Sequence, residues 1–128
     1  MQKPKTGALG LAHSYCVADC ARNIARACKA LDEEAAYVMG LLHDIGRIEG
    51  FSYMHHIISG YNFLKERGYI DAARVSLTHS FPTQDIRAYI GQPDCSEEEM
   101  AFIKDFLSKT VFDDYDRLIQ LCDSIASP

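Results

Sequence analysis

The chain has 128 residues, 48% of them hydrophobic, five histidines, five cysteines and a formal net charge of −5 at pH 7. A chain of this length buries roughly two-thirds of its unfolded surface, enough for one hydrophobic core but not two. The acidic balance excludes the basic stripe that a polymeric DNA or RNA partner requires, and no apolar run approaches the roughly 18 residues that would span a bilayer.

The polar opening Met1–Gly7 reads as a mobile segment, so residues 1–10 are set apart from a domain over residues 11–128. A first helix is predicted from Leu11 to Leu31, with Val17, Ile24 and the cysteines on its inner face. Asp32 is placed as an N-cap, with Glu33 and Glu34 complementing the helix dipole, and opens a second helix that runs to His43-Asp44. A third runs from Met54 to Glu66 and stops at Gly68. Asp71 starts a fourth, which closes before Pro82.

The stretch from Phe81 to Asp94 carries Pro82, Gly91 and Pro93 and reads in two ways: a lid over a site, or a connector with a short helix at Ile86 to Ile90. Ser96 and Glu99 form a capping box that opens a fifth helix ending at Leu107 or Lys109. The last helix runs from Asp114 to Ala126, with Asp113-Asp114-Tyr115-Asp116 as its solvated start. Helical periodicity throughout, with few β-branched alternations, predicts an all-α single-domain bundle of about six helices.

Cys16, Cys20, Cys28, Cys95 and Cys122 are odd in number, lie mostly within helical patterns and follow no signal peptide. They are expected to be small buried hydrophobes in a cytoplasmic protein, without a disulfide framework. One sharper alternative is a zinc site, because His13, Cys16 and Cys20 share a helical face at i, i+3 and i+7.

The feature that points to function is His43-Asp44-Ile45-Gly46-Arg47, which follows the apolar run Tyr37-Val38-Met39-Gly40-Leu41-Leu42. Successive helix residues point about 100° apart, so His43 and Asp44 converge on one ion only if it sits against the helix end, where Gly46 lets the chain leave. An unpaired buried carboxylate costs several kcal/mol, whereas a divalent cation makes it a stabilising ligand. Beyond the doublet stand His13, His55, His56 and His79, and Asp123 follows Leu118-Ile119-Gln120-Leu121-Cys122.

The order H, HD, H, H, D from His13 to Asp123 resembles the HD superfamily of metal-dependent phosphohydrolases, whose all-helical core gathers a mononuclear or dinuclear site from scattered positions. The resemblance implies His13, His43, Asp44 and Asp123 as ligands of one metal. His56, followed four residues later by Gly60, and His79 match the dinuclear branch and imply a second metal, with Asp44 bridging. His55 is left over, as a contact behind the ligands, a phosphate contact, or a rival for the position given to His56. The metals implied are iron or manganese, with magnesium, cobalt, nickel and zinc also compatible.

Arg47 stands where many dinuclear relatives carry a lysine. It reads either as a bidentate phosphate clamp, beside Asp44 in a catalytic role, or as an ordinary surface arginine favoured by the helix C-terminus. It also departs from the mononuclear nucleotidase branch, which has a glutamate there. Ile48 departs from the alarmone hydrolases, and the Gly-Tyr-Pro motif of the cyclic-dinucleotide branch is absent. What remains resembles the small dinuclear group that includes dinucleoside-polyphosphate hydrolases, with a small, nucleotide-like phosphorylated substrate; a homodimer is compatible. The chain stops five residues after Asp123, which fits a minimal domain or a truncated one. Two other readings share the ligand order: a di-iron oxygenase acting on a phosphonate or polyol, and a sensor that keeps its metals without catalysis.

Overall fold

The computed structural model describes residues 8–47, 54–89 and 94–126. The mobile segment expected at residues 1–7 and residues 90–93 of the irregular stretch lie outside the described residues. The fold is all-α: α1 (Ala8–Cys28), α2 (Glu33–Leu42), α3 (His55–Glu66), α4 (Ile70–Thr78), α5 (Glu97–Lys109) and α6 (Asp114–Ile125). Two short 3-10 turns, Ile45–Arg47 and Ile86–Ala88, complete it, and no strand occurs among the described residues. None of the described helices is long and apolar enough to cross a membrane.

Local chemistry sets most of the boundaries. Asp32 caps α2 by accepting from the backbone N–H groups of Glu34 and Ala35, and Ser96 and Glu99 form the reciprocal capping box of α5. Gly68 takes φ +83° just past α3, the left-handed conformation that glycine adopts without a Cβ clash. Two boundaries differ from expectation. The first helix starts and stops three residues early; it stops there because Lys29 itself enters the left-handed region at φ 62° and turns the chain toward the Asp32 cap. The fourth begins at Ile70, after a Tyr69 N-cap that makes no side-chain capping bond, so no local signal marks it.

The helices build two apolar clusters that share α4. Val75 joins Val17, Ala21, Ala25, Ala36, Met39, Leu118, Ile119 and Cys122 of α1, α2 and α6. Leu77 joins Ile57, Tyr61, Leu64, Phe81, Ile103 and Leu107, mostly of α3 and α5. α1 and α2 approach closely at Gly40, where a Cβ would stand 2.8 Å from the Ala18 Cα. Of the cysteines only Cys122 is buried; Cys16 and Cys28 are exposed and Cys20 and Cys95 intermediate, because the inner face of α1 is lined by Val17, Ala18, Ala21 and Ala25 instead.

The acidic start of α6 is also less solvated than its sequence suggests. Asp116 is fully buried, closes a capping box with Asp113, and lies 3.2 Å from Arg74 Nε. Arg74 also reaches Asp71 and Asp113, both at 3.0 Å, so the acidic run docks α6 on α4. Dipole arguments place carboxylates at a helix start, but they do not reveal an arginine 42 residues away in sequence.

Candidate metal centre

Five helix ends meet at one end of the bundle. His13 lies in the second turn of α1, His43 is the C-cap of α2 with Asp44 next, His56 is the second residue of α3, His79 is the C-cap of α4, and Asp123 lies in the last turn of α6. The doublet can turn inward because Arg47 N–H donates to the Asp44 carbonyl at 2.9 Å, closing a 3-10 turn directly after α2. Gly46 allows that turn to sit on α3: a Cβ there would overlap the His56 carbonyl and stand 2.7 Å from the Gly60 N. Its role is close approach, since its φ is not positive, and it differs in this from a helix-terminating glycine.

The gathered side chains form two sets that share Asp44. One is His13, His43, Asp44 and Asp123; the other is Asp44, His56 and His79; within each, one donor atom per residue lies within 4.8 Å of the rest. Asp44 Oδ2 faces the first set, 3.3 Å from His43 Nε2 and 3.8 Å from His13 Nε2. Asp44 Oδ1 faces the second, 3.4 Å from His56 Nε2 and 3.3 Å from His79 Nε2. Asp123 Oδ1 completes the first set, 2.8 Å from His13 Nε2 and 3.3 Å from His43 Nε2.

The donor set fits a metal on two observations. His43 Nδ1 donates to the Gly40 carbonyl at 2.6 Å, and His79 Nδ1 to the Ser76 carbonyl at 2.7 Å. A neutral imidazole that donates through Nδ1 presents a lone pair at Nε2, so both rings aim an acceptor at the centre. His43 Nε2 is moreover buried without a hydrogen bond, a cost that a cation removes. Burial opposes charging His43, but Asp123 and Asp44 outweigh it and raise its pKa to about 10. Burial likewise opposes the Asp44 carboxylate, yet His43, His56 and His79 hold it well below the usual carboxylate range. The carboxylates therefore call for buried positive charge here, carried as a proton or as a cation.

His56 differs from the other rings. Burial lowers its pKa against the pull of Asp44, and its Nδ1 faces the guanidinium of Arg47 at 3.4 Å. His55 lies outside both sets: its Nε2 is 3.4 Å from Glu99 on α5, its Nδ1 is 3.2 Å from Ser59, and its N–H donates to Asp94. The alternative of His13, Cys16 and Cys20 is not assembled, because His13 turns to Asp123 and the exposed Cys16 does not join it among the described metal-capable groups.

Sequence reasoning passed over two residues that orient the rings. Gly40 and Ser76 each lie three residues before a C-cap histidine and take its Nδ1–H on their carbonyl; the repeated i to i−3 relation is the signal that marks them. Ser76 also donates its hydroxyl to the His43 carbonyl at 3.2 Å and so joins the two sets from behind.

A family model for the HD domain matches residues 10–127, and the chain belongs to that family, whose members are in general metal-dependent phosphohydrolases that bind divalent metals. Comparisons with curated proteins and with solved structures give no match.

Proposed function

We propose that this HD-family chain hydrolyses a phosphoester or phosphoanhydride of a small, nucleotide-like molecule, using two ions of the iron or manganese kind held on either side of Asp44. The observation that carries this reading is the division of the Asp44 carboxylate, one oxygen toward His13, His43 and Asp123 and the other toward His56 and His79. Bound there, a pair of divalent cations supplies a water acidic enough to give hydroxide near neutral pH, and positive charge for a phosphoryl oxygen. The chain's own part is to fix the donors: Gly40 and Ser76 hold two rings in the ligating tautomer, and the carboxylates balance the charge.

Arg47 has a defined place in this account. A guanidinium only donates, so it faces His56 Nδ1 as an acceptor. Its planar fork, beside the second donor set, is the group proposed to meet a substrate phosphate. Arg47→Ala is expected to keep the wild-type metal content and lose about tenfold to a hundredfold in kcat/KM, the worth of one charge-assisted hydrogen bond.

Phosphate release from a nucleotide panel, measured beside oxygen consumption with phosphonates and polyols, tests the reaction class. Metal-loaded protein is expected to release phosphate. Oxygen uptake without phosphate release would replace hydrolysis with the oxygenase reaction, and silence in both would leave a metal-keeping sensor.

A further inference from the structure

The turn that carries His79 is held by α6, along the stripe of that helix which ends in Asp123. Thr78 Oγ1 donates to Asp116 Oδ1 at 2.5 Å, and Gln120 Nε2 donates to the carbonyls of both Thr78 and Phe81, at 3.1 and 3.0 Å. Arg117 donates to the Pro82 carbonyl at 2.7 Å and to Gln120 Oε1 at 3.0 Å, which orients the amide. Asp116, Gln120 and Asp123 follow one another at i, i+4 and i+7, one face of a helix.

The carbonyls concerned are at and just past the end of α4: the Phe81 N–H closes the turn onto the Thr78 carbonyl at 2.9 Å, Gln120 brings that carbonyl a second donor and the Phe81 carbonyl one as well, and Thr78 and Phe81 are buried. A single amide nitrogen with two protons thus fastens the chain on both sides of His79. The Ser76 carbonyl orients the imidazole ring, but it does not fix the backbone that follows the ring.

We infer that Gln120 is a positioning residue for His79: it sets where His79 Nε2 meets Asp44 Oδ1, and through α6 it ties the second donor set to the Asp123 of the first. The inference rests on the two-ion reading above. The bonds of Gln120 run to the chain on either side of His79 and, among those described, none runs to His13, His43 or Asp123, so the larger effect of Gln120 falls on the second ion.

The test is a Mn²⁺ titration of the metal-free full chain by calorimetry and electron paramagnetic resonance, for the wild type, Gln120→Ala, Gln120→Glu and Gln84→Ala. Gln120→Glu keeps the shape but turns an acceptor toward two carbonyl oxygens. Gln84 serves as the control, because it too donates from one amide nitrogen to two carbonyls, those of Leu107 and Thr110, neither of which adjoins a donor-set residue in sequence. Wild type and Gln84→Ala are expected to take two ions. Both Gln120 variants are expected to bind the second ion about 10- to 100-fold more weakly and the first with a clearly smaller change, the usual cost of losing a group behind a ligand falling on the nearer site.

Equal weakening of both ions, or an unchanged second ion in Gln120→Glu, would overturn the inference, as would the same loss in Gln84→Ala. A wild type that binds only one ion would overturn the two-ion reading and this inference together. Two ions bound alike in the wild type and the Gln120 variants would remove the inference alone.

Discussion

Asp44→Ala is expected to empty both donor sets at once and to give the largest loss of any single substitution in the centre. Asp44 is the only residue common to the two sets, and both of its oxygens are in use. Even without an ion its removal strands charge: against burial, Asp123 and Asp44 raise the His43 pKa to about 10, and the part supplied by Asp44 disappears. Breaking a buried ion pair from one side costs about 3–5 kcal/mol, which for a domain of this size lowers Tm by on the order of 10–20 °C. The loaded protein loses in addition the stabilisation that ligand binding confers on the native state. Metal content by elemental analysis and melting curves with and without Mn²⁺ check both parts; an Asp44→Ala protein that retains two equivalents of metal would contradict the assignment.

Gly46→Ala is expected to be nearly as damaging, although it removes nothing. The added Cβ has no room between the His56 carbonyl and the Gly60 N, and both obstacles are backbone, so the 3-10 turn must lift from α3. Overpacking of this kind costs about 1–3 kcal/mol or more, and here the displacement separates Asp44 from His56 directly. Gly10→Ala is the matched control, since nothing lies within 4 Å of a Cβ at that position. Gly46→Ala should lose metal and melt early, whereas Gly10→Ala should match or slightly exceed the wild type because alanine favours the helix by up to about 1 kcal/mol. Wild-type metal affinity in Gly46→Ala would show that the contact between the turn and α3 does not position the centre.

These two residues also show what a sequence reveals and what it withholds. The doublet was legible because ligand chemistry is carried by residue type and order: an imidazole and a carboxylate leaving an apolar helix, with His13, His56, His79 and Asp123 at the ends of other helices. Capping chemistry is local, so Asp32, Ser96 with Glu99, and Gly68 marked their boundaries correctly. Gly46 was recognised as a break but not as a packing contact, because its neighbours are backbone atoms brought by α3.

His55 and His56 stayed interchangeable in sequence for a related reason. They are one helical step, about 100°, apart, and the docking of α3 decides which faces inward. The buried Gly60 and Leu64 share the His56 face, whereas the helical neighbour of His55 is the half-buried Ser59. Lys29 gave no sign of ending α1, since a lysine seldom takes a positive φ. The burial of Asp116 depends on Arg74 and Thr78, which only the fold brings to it.

The central claim is that Asp44 divides the centre into two ion positions. Crystals of the Mn²⁺-loaded chain, with diffraction recorded on both sides of the manganese absorption edge, test it most directly. The account predicts two anomalous peaks, one among His13, His43, Asp44 and Asp123 and the other among Asp44, His56 and His79. A single peak, or one lying at His55 or beside Cys16 and Cys20, would contradict it.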